Sequence, residues 1–173
     1  MSSRPTSLWS WRVMQIRENF DAAFAMPAAV RREATHVLLV TVAGEACAVA
    51  MDECSLVRRA AGVTRLPSGN PSFRGLTTVA GAAVPVYDLA QRLGLAQGAE
   101  APEWLLVSAG RSRVAFAVEA IDGYAAADEN LGDGATRSVV TVAGRPRRLV
   151  ALAAIVDAIE NESRRENTTR SDR

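Results

Sequence analysis

Residues 71–89, PSFRGLTTVAGAAVPVYDL, decide the fold of this chain. They contain two glycines, Gly75 and Gly81, and a Pro85-Val-Tyr-Asp88 strand that leads into a short helical stop at Gly94. Glycine adopts the positive φ values that tight turns need. None of these residues stands in a catalytic pattern. The stretch therefore predicts shaped β-structure that binds other molecules and carries out no chemistry.

Val-Ala-Gly turns recur along the chain. Apolar residues alternate over 37–42 and 47–51 on either side of Ala43-Gly44, which is typical of a β-hairpin. Equivalent turns and one Gly-Arg-Ser turn predict three more hairpins, around 78–84, 104–118 and 141–147.

The first and fourth hairpins along the chain (37–51 and 104–118) resemble each other, which indicates a weak internal duplication. Each has an apolar run, an Ala-Gly turn and a second apolar run that ends near an acidic residue. Short strands with turn signals at this spacing predict a mainly β fold of two small barrels. Residues 96–103 are predicted to be the loop between them.

A helix is predicted over 8–26. Its apolar stripe has spacings of four, three, four and four residues and consists of Trp9, Val13, Ile16, Phe20 and Phe24. This helix either packs against its own domain or docks a partner, because its aromatic face is adhesive. It belongs to a helical N-terminal extension over 1–34.

A second helical stripe lies near the C-terminus and consists of Leu152, Ile155, Val156 and Ile159. The residues that follow are polar and charged without apolar periodicity, which favours disorder. The predicted domains are therefore an extension over 1–34, a β domain over 35–160 with its C-terminal helix, and a disordered tail over 161–173.

Composition limits the class of function. Twenty basic residues face nineteen acidic ones, so the net charge of +1 gives no field for nucleic acid or an anionic membrane. Cys47 and Cys54 are spaced neither as zinc ligands nor as a redox pair, and they predict buried thiols in a reducing cytoplasm. No export signal or membrane span is predicted, so we expect a cytoplasmic protein.

The candidates for chemistry are few. His36 is the only histidine and begins a strand, and no cluster of His and Cys could bind zinc. The acidic run from Asp128 places Asp133 and Val139 where a calcium loop needs Gly and Glu. Asp88 is predicted to cap the short helix after it. The sequence therefore predicts a protein that is not an enzyme, with no catalytic residue, cofactor or metal site.

Residues 37–160 resemble the CheW-type chemotaxis coupling proteins, a family of adaptors. The resemblance is most specific over 71–95, where Arg74-Gly75, Gly81 and Pro85-Val-Tyr-Asp88-Leu89 occur in the order typical of the family. It implies two small SH3-like five-stranded β-barrels in one unit. One barrel would dock a CheA-type histidine kinase, and the groove between the barrels would receive the tip of a methyl-accepting chemotaxis receptor.

The resemblance also implies a protein-binding surface for the kinase and the receptor. Arg74 is the member of this surface that we most expect to contact a partner, because arginine is exposed by type. The residues that fall on the surface are Cys54, Leu56, Val57, Arg58, Thr64, Arg74, Gly75, Ala80 and Gly81. The implied role is a cytoplasmic scaffold in two-component signal transduction.

Two residues depart from the family pattern. Ala80 stands where members usually have an arginine, and Leu56 stands where many have a glutamate. Alanine cannot supply the bidentate hydrogen bonds of a guanidinium. The chain is thus similar to a divergent member, and an adaptor that binds receptors or another protein but not the kinase is the alternative. A small-barrel enzyme is disfavoured by the single histidine and the scattered acids. A nucleic-acid-binding barrel is disfavoured because the strands carry Ala and Val.

Overall fold

The computed structural model describes residues 35–95, 100–128 and 138–171, with side chains as far as Arg165. The helix predicted over 8–26 and the rest of the extension over 1–34 lie outside the described residues. Within them, the chain is mainly β, as predicted. The strands are β1 (His36–Val42), β2 (Glu45–Ala50), β3 (Cys54–Arg59), β4 (Phe73–Val79), β5 (Ala82–Asp88), β6 (Trp104–Ser108), β7 (Ala115–Val118), β8 (Ala120–Ala126), β9 (Val139–Val142) and β10 (Arg145–Val150).

Helical structure is sparse in the described residues. A single 3₁₀ turn (Met51–Glu53) joins β2 to β3. The short helix α1 (Leu89–Arg92) follows β5, and the backbone amide of Gln91 donates to Asp88 Oδ1 at 3.4 Å, which confirms the predicted cap. The long helix α2 (Leu152–Ser171) follows β10.

The ten strands form two five-stranded sheets. The first sheet has the order β8-β1-β2-β10-β9, and the second has the order β3-β6-β7-β5-β4. All neighbours are antiparallel except the pairs β2–β10 and β5–β7, which are parallel. If five is added to each strand number of the first sheet, and ten is subtracted from any sum above ten, the order of the second sheet results. Strands β8, β1, β2, β10 and β9 thus correspond to β3, β6, β7, β5 and β4. This relation supports the internal duplication that the first and fourth hairpins indicate.

Strand exchange accompanies this duplication. β3 follows β2 in the chain but pairs with β6, and β8 follows β7 but pairs with β1. The second sheet therefore contains strands from both sides of residues 96–103. The expectation that this segment separates two barrels is wrong, because strands from either side of it share one sheet.

Hydrogen bonds between the outermost elements close each sheet toward a barrel. In the second sheet, Thr64 follows β3 and exchanges two backbone bonds with Leu76 of β4, at 2.8 and 2.9 Å. In the first sheet, the amide of Asp128, after β8, donates to the carbonyl of Thr141 in β9 at 2.9 Å. These are equivalent positions under the duplication, so both sheets close in the same way.

The core has three parts. A small cluster lies within each sheet, around Val86 and Leu105 in the second and around Val37 and Val140 in the first. The largest cluster joins Val40 of the first sheet to Phe116 of the second and includes Leu152 of α2. Because apolar burial is the main favourable term in folding, this shared cluster makes the two sheets one cooperative unit.

Helix α2 extends further than the sequence predicts. Leu152, Val156 and Ile159 are buried, as their spacing indicates. The predicted disordered tail over 161–173 is instead helical as far as Ser171. Glu162, in the polar part of α2, forms an ion pair with Arg92 of α1. Both carboxylate oxygens lie 2.9 Å from the guanidinium, and this pair holds the polar part of α2 against α1. The pattern of apolar residues could not reveal this contact.

Candidate partner-binding surface

Arg74 is held in a mostly buried ion pair. Its guanidinium donates from Nε and Nη2 to Asp88 Oδ2, at 3.1 and 2.5 Å, and from Nη1 to the carbonyl of Glu100 at 3.1 Å. The side chains of Arg74 and Asp88 are only 16% and 3% exposed. A buried carboxylate needs such a partner, since an unpaired buried charge is costly. The expectation that Arg74 is exposed is therefore wrong.

Gly75 and Thr64 meet because the second sheet closes beside them. Gly75 is buried with φ +135°, and a Cβ atom there would lie 2.0 Å from the carbonyl oxygen of Thr64. No side chain fits at that distance, so glycine is required for the close approach of the two backbones. Thr64 itself is exposed. Gly75 thus shapes the surface from beneath.

The predicted residues of β3 divide into an inner and an outer pair. Cys54 and Val57 are partly buried against the largest core cluster. Burial, reinforced by the nearby charge of Glu53, raises the pKa of the Cys54 thiol to about 11. Leu56 is 40% exposed, next to an irregularity in the pairing of β3 with β6.

Arg58 joins β3 to the hairpin of β4 and β5. Its Nη1 donates to the carbonyl of Thr78 at 2.8 Å, and its Nη2 donates to the carbonyl of Ala61 at 3.3 Å. The hairpin turns at Ala80 and Gly81, which are both exposed. We call the outer set Leu56, Arg58, Thr64, Ala80 and Gly81 the hairpin face.

The structure therefore separates the predicted surface residues into two groups. The hairpin face contains the exposed members and Arg58, which is partly buried. Four further residues are buried or partly buried and support it: Cys54, Val57, Arg74 and Gly75.

An open groove of about 840 Å³ lies beside Arg74, and the sequence did not indicate it. The Arg74–Asp88 pair lines it together with apolar residues such as Phe73 and Leu66, the latter 43% exposed. All its lining residues come from the second sheet and the segments that connect its strands. Residues 60–66 form one wall, and their lack of strand periodicity left no signal for a groove in the sequence.

Among residues 35–95, 100–128 and 138–171, no three His, Cys, Asp or Glu side chains are placed to hold a metal ion. In the same part of the chain, no helix is both long and apolar enough to cross a membrane.

Comparison with known proteins identifies the fold and the family. Residues 36–160 match the CheW-like domain. The chain belongs to the CheW-like domain family. Its structure is similar to that of the scaffolding protein TtCheW from Thermoanaerobacter tengcongensis, with a TM-score of 0.56 and 16% sequence identity over 68% of this chain and 89% of that one. No sequence among the curated proteins matches the chain.

Membership in the CheW-like domain family confirms the resemblance found in residues 37–160. The similarity to TtCheW confirms a fold of two five-stranded β units. The CheW-like domain and the similarity to a scaffolding protein support a role as a chemotaxis adaptor or scaffold.

Proposed function

We propose that this protein is a non-enzymatic chemosensory scaffold that couples methyl-accepting receptors to a CheA-type histidine kinase. The hairpin face is the contact surface in this proposal, and the partners dock against its exposed apolar and backbone groups. The cytoplasm is the compartment in which such partners meet.

The observation that carries the proposal is the exposure of Leu56 on β3, an outermost strand of the second sheet. A leucine at 40% exposure on an outermost strand offers apolar contact area to a partner. Arg58 adds a guanidinium, a group enriched at protein interfaces. The buried Arg74–Asp88 pair and Gly75 hold the β4–β5 hairpin in place behind this surface.

One observation favours the alternative, an adaptor that binds receptors or another protein but not the kinase. Ala80 is exposed at the turn where the family usually presents an arginine. The hairpin face consequently lacks a side-chain cation at its tip, and a kinase contact that depends on that cation is lost.

Calorimetric titration of the full chain with a receptor cytoplasmic fragment and with the kinase regulatory domain tests both versions. The Leu56→Asp variant places a charge in the proposed interface and should weaken binding at least about tenfold. Val139→Asp is the matched control, since Val139 is 53% exposed on β9 of the other sheet. It should bind like the wild type.

Each result has a distinct meaning. Binding of both fragments, weakened by Leu56→Asp alone, supports the coupling role. Binding of the receptor fragment without the kinase domain supports the alternative. If neither fragment binds the folded wild-type chain, the proposed function is wrong.

A further inference from the structure

Three hairpins of the described structure turn at an Ala-Gly pair in one conformation. The alanines Ala43, Ala80 and Ala143 have φ values of 51°, 49° and 49°. The glycines that follow have φ values of 74°, 81° and 71°. Two successive residues with positive φ define the type I′ turn, whose geometry suits the twist of β-hairpins. The amides of the central residues are then not used by the strand ladder.

Carboxylates bind these amides in two of the three turns. At Ala143-Gly144, Asp128 Oδ1 accepts from the amide of Ala143 at 3.1 Å, and Oδ2 accepts from that of Gly144 at 2.8 Å. At Ala43-Gly44, Glu119 Oε2 accepts from the amide of Gly44 at 3.0 Å. Charge-assisted hydrogen bonds of this kind are stronger than neutral ones. The central amides of this type of turn therefore bind carboxylates in this protein.

The third turn, Ala80-Gly81, has the same backbone but no carboxylate partner within the described parts of the chain. Residues 72–87 contain no Asp or Glu at all, so the hairpin has no acid of its own to place there. Both turn residues are exposed. The guanidinium of Arg58 lies close by, 2.8 Å from the carbonyl of Thr78, and adds positive potential on this side of the hairpin.

We propose that the backbone amides of Ala80 and Gly81 bind a carboxylate side chain, Asp or Glu, of the partner protein that docks on the hairpin face. This inference rests on the proposed function for the identity of the partner, whereas the carboxylate site itself rests on the two occupied turns. The partner's acid takes the place that Asp128 and Glu119 hold in the other turns. Specificity for acidic partners then comes from the backbone, without the arginine that the family carries at position 80.

Acetate is the probe for the site. The test is a titration of the ¹⁵N-labelled full chain with sodium acetate, followed through the amide chemical shifts by NMR. Sodium acetate replaces sodium chloride, so the ionic strength stays constant. The amides of Ala80 and Gly81 should shift and approach saturation. Those of Gly44, Ala143 and Gly144 should not, because internal carboxylates occupy them. Equal shifts in all three turns, or none at Ala80 and Gly81, overturn the site.

Two nearly isosteric variants test the charge. Asp and Asn both favour the first position of a type I′ turn, so Ala80→Asp and Ala80→Asn should both keep the hairpin. Ala80→Asp places a negative charge beside the amides and should weaken acetate binding at least about tenfold relative to Ala80→Asn. Equal acetate affinity of the two variants contradicts the proposal.

The same pair separates this inference from the proposed function. If the receptor or kinase fragment binds Ala80→Asp as tightly as Ala80→Asn, the coupling role stands and the carboxylate contact is wrong. If neither fragment binds the wild type, the coupling role is wrong, and the acetate titration alone decides whether the turn is a carboxylate site.

Discussion

Glu53 caps a helix that begins almost one hundred residues later in the chain. Its Oε2 atom lies 2.5 Å from the backbone nitrogen of Leu152 and 3.4 Å from that of Ala153, in the first turn of α2. A carboxylate at a helix N-terminus satisfies amides that have no partner within the helix and interacts favourably with the helix dipole. Since Glu53 immediately precedes β3, this contact couples the start of β3 to the helix that packs on the shared core.

We expect Glu53→Ala to lower the free energy of unfolding by about 1–2 kcal/mol, because the cap and its charge are both lost. Glu53→Gln retains an acceptor without the charge and should lose less. Urea denaturation followed by circular dichroism measures both. A smaller loss for Glu53→Ala than for Glu53→Gln would contradict the capping role.

Breaking the Arg74–Asp88 pair should be strongly destabilising. Arg74→Met leaves the carboxylate of Asp88 buried without its cation, which costs about 3–5 kcal/mol of unfolding free energy. The double variant Arg74→Met/Asp88→Asn no longer has the uncompensated charge. It should therefore lose less unfolding free energy than Arg74→Met alone. Chemical denaturation of the single and double variants decides the point.

An exposed ion pair provides the matched control for Arg74. Arg59 and Glu103 are paired with side chains 61% and 54% exposed. Arg59→Met should therefore cost about 1 kcal/mol or less, since water screens such pairs. Equal losses for Arg59→Met and Arg74→Met would mean that the burial of the Arg74–Asp88 pair has no energetic consequence.

Gly75 should tolerate no side chain. Gly75→Ala places a methyl group 2.0 Å from the carbonyl oxygen of Thr64 and forces a non-glycine residue to φ +135°, so we expect a loss of at least about 3 kcal/mol or failure to fold. At Gly69, by contrast, an added Cβ meets no atom within 4 Å. Gly69→Ala should change stability by about 0.5 kcal/mol or less. Thermal unfolding of both variants is the measurement, and similar melting temperatures would contradict the close approach at Gly75.

Cys54 should react slowly with alkylating reagents. Its pKa is raised from 9.0 to about 11. Because the thiolate is the nucleophile, the rate of reaction with iodoacetamide at about pH 8 should be roughly a hundredfold below that of an ordinary thiol. The rate should rise with pH up to about 11. Cys47→Ala isolates Cys54 for this experiment, and a rate that levels off near the ordinary thiol pKa would contradict the prediction.

The hairpins were predictable because each one is local. The alternation over 37–42 and 47–51 and the Val-Ala-Gly turns specify β1, β2 and their counterparts through neighbouring residues alone. β3 and β8 had no such signal. Both are half-buried and have an irregularity in their pairing, and each pairs with a strand from the opposite half of the chain, β3 with β6 and β8 with β1. Their partners cannot be read from local periodicity.

The predicted surface shows the same division. The family pattern placed Leu56, Ala80 and Gly81 on the partner-binding surface, and all three are exposed. It also singled out Arg74, whose burial depends on an aspartate fourteen residues away on the neighbouring strand. Residue type indicates where a charge usually lies, whereas strand register determines whether a carboxylate faces it. The register of β4 with β5 is irregular at that point, which the sequence does not reveal.

The exchange of β3 and β8 has a consequence for how the protein is made. When only the first 95 residues have left the ribosome, β3, β4 and β5 are present without the β6–β7 pair that lies between β3 and β5. At that stage β1 is also present without β8. The second sheet cannot close before β7 has been made, and the first cannot close before β10 has been made. Each sheet must therefore wait for strands from the second half of the chain, and nascent chains should depend on protection of their unpaired strand edges until those strands emerge.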